Sequence, residues 1–266
     1  MRGILSLASA FASSDANRVS QHDLYKSKKS EGWAQRLKGN PKEALGHFEA
    51  FLDGMTKLVG NGPIFRNVPT VPAEWYRDLA DALEVVGDMR AATGLDADAL
   101  SAYEKLLDLA ERRRGLSGLS GAQYWNWKAA VAHENVGDIY RQQGDVSKAL
   151  YHYLKFESIM DGIVGVDPYN IVWERSDALS HERVGDMRRA LAEQTGDPAQ
   201  ASKTDEFIRA EEEYQNFLNT IESTQSRDRR NADLRRLKAQ AFERKGICWL
   251  FRLSRGTKTH LYLKGK

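Results

Sequence analysis

The sequence predicts an all-α protein built from repeated pairs of helices. Tryptophan, alanine, glycine and aspartate recur in one register along the chain, and a glycine turn followed by an alanine-to-tyrosine step recurs with them. Leucine, alanine, glutamate, arginine and lysine are abundant, and no convincing strand alternation is present. This many matches in register indicate one supersecondary unit copied several times.

A glycine within the first helix of each copy, called here the anchor glycine, sets the register. In copies two to four the anchors are Gly87, Gly137 and Gly185. Measured from the anchor, each copy has tryptophan at −12 (Trp75, Trp125, Trp173), alanine at −7 (Ala80, Ala130, Ala178), a small residue at −5 (Ala82, Ala132, Ser180), valine at −1 (Val86, Val136, Val184) and aspartate at +1 (Asp88, Asp138, Asp186).

The second helix of the copies repeats as well. A turn glycine follows the anchor by seven residues, and an alanine and a tyrosine come next (Gly94, Ala99, Tyr103; Gly144, Ala149, Tyr153). A first copy keeps this half as Gly32, Gly39, Ala44 and Phe48, and Asn40-Pro41 predicts the N-cap and first residue of its second helix. In copy four the turn glycine, Gly196, comes four residues late, about one helical turn. Two registers then remain open for its second helix, one with Ala210 and Tyr214 and one with Ala201.

The spacing also predicts which faces of the first helix are used. At about 100° per residue, the positions 12, 8, 4 and 1 before the anchor share one face. In copy two these are Trp75, Leu79, Leu83 and Val86, an apolar stripe. The anchor glycine and the small residues cluster on an adjoining face, where they would let a second helix approach closely. That role would justify a glycine that costs about 1 kcal/mol of helix stability relative to alanine.

This layout resembles the tetratricopeptide repeat (TPR), in which a helix A carries a large residue, Leu-Gly and an aromatic, and a helix B carries Ala and then Phe or Tyr. Val136-Gly137, Tyr140, Ala149 and Tyr153 match those positions. The resemblance covers about residues 25–222 and implies a right-handed α-solenoid of antiparallel helix pairs. The glycines at the anchor position, Gly32, Gly87, Gly137, Gly185 and Gly246, are 55, 50, 48 and 61 residues apart, more than the family's usual 34. Repeats of this length, and the sequence DPYN at residues 167–170, resemble the long repeats of bacterial multidomain proteins.

The chain is predicted to fall into three parts. Residues 1–22 form an N-terminal cap or a frayed segment, residues 23–223 hold four repeats, and residues 224–266 form a basic, degenerate fifth repeat and tail. From Gln225 onward there are 13 Lys or Arg and 3 Asp or Glu, a net charge of +10 against +2 for the whole chain. Phe242 and Gly246 occupy helix A positions there, but no alanine-to-tyrosine step follows.

Several classes of protein are disfavoured by composition. The single cysteine, Cys248, excludes an intrachain disulfide framework, and no apolar stretch reaches the length of a transmembrane helix. The first 16 residues mimic a signal peptide, but Ser6 and Ser9 interrupt the apolar run and one arginine precedes it. We therefore expect a cytoplasmic protein, with secretion as the alternative.

The sequence predicts no catalytic residues, no cofactor and no metal site. His133-Glu134 and His181-Glu182 begin like the zinc-protease motif HExxH, but Gly137 and Gly185 stand where its second histidine belongs. The histidines are interpreted as core-facing or half-buried. The glycines at 115, 118 and 121 lack the lysine and hydroxyl residue of a phosphate-binding loop.

Two acidic positions flank every anchor of copies two to four. Glutamate lies at −3 and aspartate at +1, so their carboxylates are i,i+4 neighbours whose repulsion costs a few tenths of a kcal/mol, about 0.2–0.5. In TPR proteins these positions of helix A face the concave groove that holds peptides. The resemblance thus implies a peptide-binding groove lined by Glu84, Asp88, Glu134, Asp138, Glu182 and Asp186, with Arg141 and Arg189 close enough to offset the charge. The alternative is that these residues only pair with one another.

The leading hypothesis is a noncatalytic protein–protein interaction scaffold whose helix A groove holds a peptide, one rich in Lys or Arg. A second is a regulatory region of a multidomain or operon-encoded signalling enzyme. A third is a nucleic-acid contact through residues 225–266, against which stands the simpler interpretation of a solvated helix face. No membrane partner is expected, and the oligomeric state is left open.

Overall fold

The computed structural model describes the backbone of residues 2–60, 71–116, 118–194 and 201–263, and the side chains of residues 16–60, 71–116, 118, 121–194, 205–248 and 250. Within these ranges the chain is all α-helix with connecting turns, and no strand occurs. The helices are α1 (Arg2–Leu37), α2 (Pro41–Val59), α3 (Ala73–Ala92), α4 (Asp96–Arg114), α5 (Leu119–Gln142), α6 (Val146–Val166), α7 (Ile171–Gln194), α8 (Ala201–Arg227) and α9 (Ala232–Leu263).

The chain divides into two compact units, residues 1–112 (unit 1) and 113–266 (unit 2). In unit 1, α2 packs on both α1 and α3, and in unit 2 each helix from α5 to α9 packs on the next. The predicted all-α solenoid of helix pairs is confirmed, with α1, α3, α5, α7 and α9 as the A helices and α2, α4, α6 and α8 as the B helices. No helix within the described ranges combines the length and apolarity needed to cross a membrane.

Glycine turns close the hairpins at the predicted places. Gly39, Gly94 and Gly144 have φ values of 80°, 78° and 78°, a left-handed conformation that a Cβ atom disfavours. After the third of these turns, the side chain of Asp145 accepts a hydrogen bond from the Lys148 backbone N–H at 3.1 Å and caps α6. At Gly144-Asp145 the sequence of the turn therefore both ends α5 and begins α6.

The start of α2 differs in detail from the prediction. Pro41 is its first residue, but the side chain of Asn40 makes no capping bond. Instead, its Nδ2 donates to Oε1 of Gln35, 3.0 Å away. The Asn40 amide is thus held towards the end of α1, and its oxygen does not accept from the first backbone N–H groups of α2.

Close helix contact at the anchor glycines holds each pair together. A Cβ atom placed on Gly32 would come 2.6 Å from the Phe48 ring, and one on Gly137 would come 2.6 Å from the Tyr153 ring. The same approach joins Gly87 to Tyr103 and Gly185 to Tyr214. The aromatic ring from the B helix therefore lies against the backbone of the anchor glycine, where any side chain would collide with the ring. This is the close approach predicted from the sequence.

The contact at Gly185 also settles the register of copy four. Tyr214, with Ala210 one turn before it, occupies the position of Tyr153 in copy three, so the register based on Ala201 is excluded. The helix α7 extends nine residues beyond its anchor, whereas α5 extends five beyond Gly137. This difference is the extra helical turn that the late glycine predicts. Gly196 itself lies outside the described residues.

Both terminal helices are longer than the sequence indicates. The helix A of copy one, which carries Gly32, is the C-terminal part of α1, and α1 begins at Arg2. The fifth repeat is a single helix, α9, of 32 residues. In unit 1, α1 is tied to α3 by a 2.8 Å hydrogen bond between His22 Nε2 and Asp78 Oδ2, and His22 stacks on Trp75.

Candidate interaction surface on the A helices

The aspartate after each anchor accepts a hydrogen bond from the B-helix tyrosine that covers the anchor glycine. The tyrosine hydroxyl lies 2.7 Å from Asp88 Oδ1 in copy two, 2.6 Å from Asp138 Oδ1 in copy three and 2.8 Å from Asp186 Oδ1 in copy four. The tyrosines are Tyr103, Tyr153 and Tyr214, all fully buried. The aspartates therefore have a structural task within each helix pair, besides any contact with a partner.

In unit 2, the carboxylates predicted to line the groove form what we call the carboxylate row: Glu134 and Asp138 on α5, and Glu182 and Asp186 on α7. Arg183 of α7 reaches back to α5, and its Nη2 lies 3.6 Å from both Glu134 Oε1 and Asp138 Oδ2. Arg244 of α9 does the same on α7, at 3.7 Å from Glu182 and 3.2 Å from Asp186. One guanidinium from the next A helix thus bridges each pair of carboxylates.

These two bridging arginines are absent from the sequence-based site. Each stands two residues before an anchor glycine, Arg183 before Gly185 and Arg244 before Gly246. A comparison of the copies at this position could therefore have identified them. Copies two and three have Val85 and Asn135 there, which hides the pattern. The arginines that were predicted to offset the charge each reach the aspartate of their own helix: Arg141 lies 3.2 Å from Asp138, and Arg189 lies 3.9 Å from Asp186.

The two glutamates of the carboxylate row are only partly compensated. Burial, followed by the charge of Asp138, raises the pKa of Glu134 although Arg183 lowers it. Burial and Asp186 raise the pKa of Glu182 in the same way, against Arg244. A raised pKa means that the ionised form is held at a cost, so a further cation brought to this surface would be favoured.

The remaining predicted carboxylates, Glu84 and Asp88, lie on α3 in unit 1. Both are half-buried, and Asp88 is the acceptor of the Tyr103 hydroxyl. A single groove lined by all six carboxylates stays a prediction.

A pair of histidines occupies the same hairpin of copy three. Nδ1 of His133 on α5 lies 3.1 Å from Nδ1 of His152 on α6, and the Tyr140 ring stacks on His152. Burial, with smaller contributions from His152 and Lys155, lowers the pKa of His133 to about 4. Both rings are therefore neutral near neutral pH, and one donates to the other.

This pair predicts acid sensitivity. Because the pKa of His133 is about 4 in the folded chain and 6.5 unfolded, its neutral form stabilises the fold above pH 6.5, and that contribution is lost as pH falls towards 4. In copy two this position is Leu83. The free energy of unfolding should fall between pH 6.5 and pH 5, and in His133→Leu that fall should be smaller by about 1–2 kcal/mol. Urea titrations at several pH values measure it. Equal pH dependence in the two proteins would contradict the assignment.

The same position in copy four has a different environment. Nδ1 of His181 lies 2.7 Å from Glu157 Oε1 and 3.1 Å from Glu213 Oε2. Burial alone would lower its pKa, but hydrogen bonds to Glu157 and Glu213 raise it to about 10. Burial raises the pKa of the neighbouring Asp177 to about 6.

Basic residues near the C-terminus are partly used inside unit 2. Arg227 pairs with the buried Glu174, Lys238 lies 2.9 Å from Glu222, and Arg244 completes the carboxylate row. These contacts favour a structural role for this part of the predicted basic tail. The side chains beyond residue 250 lie outside the described residues.

Comparisons with known proteins place the fold. No protein-family model and no curated protein sequence matches the chain. Among solved structures, the yeast histone chaperone Hif1 aligns with a TM-score of 0.51 at 13% identity, over 88% of this chain and 98% of Hif1. A putative kinesin light chain with TPR-like repeats from Podospora anserina aligns at 0.41 and 13% identity, over 79% and 99% of the two chains. A TPR protein from Parabacteroides merdae aligns at 0.35 and 14% identity, over 88% and 79%.

Proposed function

We propose that this chain, which has a TPR-like fold, is a noncatalytic protein-interaction scaffold that holds a partner segment rich in Lys or Arg on the A helices of unit 2. The likeness to Hif1, described as a scaffold protein that recruits protein complexes to core histones, supports the general role. The proposal for the surface itself comes from the carboxylate row.

One observation carries the proposal: each glutamate of the carboxylate row contacts its bridging arginine at only 3.6 or 3.7 Å, whereas each aspartate has a second arginine on its own helix. The ion pairs of Arg183 with Glu134 and Asp138 are long, at 3.6 Å, and these side chains are about a quarter exposed. A Lys or Arg from a partner could approach Glu134 without displacing Arg183. Partly buried ion pairs of this kind gain more from a further cation than fully hydrated carboxylates do.

The test uses a peptide array in which every Lys- or Arg-containing peptide has a matched copy with glutamine at those positions. The intact chain should bind basic peptides in preference to their glutamine copies, and raising salt from about 50 to 500 mM should weaken binding. Glu134→Lys should reduce the affinity on the order of tenfold or more, because it places a cation where the peptide's cation would bind.

Glu212→Lys is the matched control. It makes the same charge change in unit 2, at an exposed position on the B helix α8. Its affinity for basic peptides should remain near that of the unmodified chain. Equal loss in both variants would show that only net charge matters, and indifference to Glu134→Lys would end the proposed use of the carboxylate row.

A further inference from the structure

Copy four departs from the apolar stripe at two core positions. Eight and four residues before the anchor, copy two has Leu79 and Leu83, whereas copy four has Asp177 and His181. Asp177 is only 7% exposed. Burying a carboxylate and an imidazole where leucines would pack is costly, and departures of this kind are expected at functional sites.

Asp177 and His181 are brought together with a third donor. They lie one turn apart on α7, and Asp161 projects from the neighbouring helix α6. One ligand atom from each of these three residues lies within 4.8 Å of the others. Small side-chain adjustments would bring all three to the 2.0–2.2 Å or so at which nitrogen and oxygen ligands hold zinc.

A second observation points to a missing ligand. Oδ1 of Asp177 is buried and has no hydrogen-bond partner. Buried polar atoms are almost always paired, and a buried carboxylate oxygen without a partner, on a residue of this cluster, would be satisfied by a cation.

The Nδ1 of His181 is held by carboxylates, as in many metal-ligating histidines. Its Nδ1 faces Glu157 on α6 and Glu213 on α8, and such an Nδ1–H···carboxylate contact fixes the tautomer of histidines that ligate through Nε2. Glu157 and Glu213 are then positioning residues. Four carboxylates lie near His181: those of Glu157, Asp161, Asp177 and Glu213. The guanidinium of Arg188 lies beside them, with its Nε 3.8 Å from Glu213.

We propose that Asp161, Asp177 and His181 bind one divalent transition-metal ion, which joins α6 to α7 in unit 2. The sequence alone predicts no metal here, because the three donors come from two helices and match no short motif. Two carboxylates and one imidazole suit zinc or manganese better than magnesium or calcium, which prefer oxygen ligands alone. Binding displaces the proton of His181 Nε2 to solvent, while Nδ1–H remains with the glutamates.

The test is calorimetric titration of the full, tag-free chain with Zn²⁺ after removal of metals by a chelator. One ion should bind per chain, and buffers of different ionisation enthalpy should report release of about one proton. Asp161→Asn should weaken binding on the order of 100-fold; Asp161 is exposed, so this variant keeps the fold. Asp177→Asn should behave alike, and Glu157→Gln should weaken binding by about 10- to 100-fold.

Glu212→Gln, an exposed carboxylate on α8, is the control and should bind as the unmodified chain does. Each of the following results would overturn the proposal. They are the absence of stoichiometric Zn²⁺ binding, Asp161→Asn binding as tightly as the unmodified chain, and equal competition by Mg²⁺. Loss with Glu157→Gln but not with Asp161→Asn would place the ion on the Nδ1 side of His181 and would also refute the assignment.

Discussion

Gly137→Ala is expected to lower the free energy of unfolding of unit 2 by about 2 kcal/mol, although alanine is the better helix former. The new Cβ atom would lie 2.6 Å from Cε1 of Tyr153, closer than any real contact. The ring cannot simply turn away, because Tyr153 is fully buried and its hydroxyl donates to Asp138 at 2.6 Å. Either the helices separate or that hydrogen bond breaks. Thermal and urea unfolding measure the loss.

Gly246→Ala is the matched control, since Gly246 holds the same repeat position in α9. A Cβ atom there meets nothing within 4 Å, and the same is true of Gly162 in α6. Both substitutions should stabilise the chain by about 0.5–1 kcal/mol through helix propensity. Equal stabilisation by Gly137→Ala would show that the close approach of α5 and α6 is wrong.

Arg183→Met is expected to destabilise unit 2 by about 2 kcal/mol near neutral pH. Methionine keeps the apolar stem but removes the guanidinium that reaches from α7 to both Glu134 and Asp138. Glu134 would then have lost this arginine and would remain one turn from the carboxylate of Asp138, which keeps its 3.2 Å contact with Arg141. The cost is below that of a fully buried pair, because these side chains are about a quarter exposed.

A double substitution distinguishes this cause from lost packing. Adding Glu134→Gln to Arg183→Met should recover about half of the lost stability, because the carboxylate that lost its arginine is gone. Arg141→Met, which removes the more exposed partner of Asp138, should cost about 0.5 kcal/mol or less. If Glu134→Gln gives no recovery, the ion pairs are not the source of the effect.

The anchor register could be predicted from the sequence because it is carried by positions that repeat. Trp75, Gly87 and Tyr103 recur at equal spacing in copy three, and each has one physical role in a helix pair. The bond between the tyrosine hydroxyl and the aspartate could have been predicted as well, since both residues recur together.

Other features could not be read from periodicity. The register of copy four could not be chosen, because Ala201 and Ala210, nine residues apart, both fit the alanine position of the second helix. Arg183 and Arg244 were missed because side chains that bridge successive A helices belong to different copies, and long arginines leave no hydrophobic signal. The carboxylates beside His181, Glu157 and Glu213, come from α6 and α8. Their proximity to His181 could be known only once the packing of the helices was known.

The bridging arginines have a consequence for the evolution of the gene. Arg183 and Arg244 hold the same place relative to Gly185 and Gly246, and each reaches the same two acids of the A helix before it. Recombination that excised copy four would bring Arg244 opposite Glu134 and Asp138 and recreate a compatible junction. Such an excision would keep the arginine bridge, while the apolar cluster that α9 shares with α7 and α8 would have to be replaced.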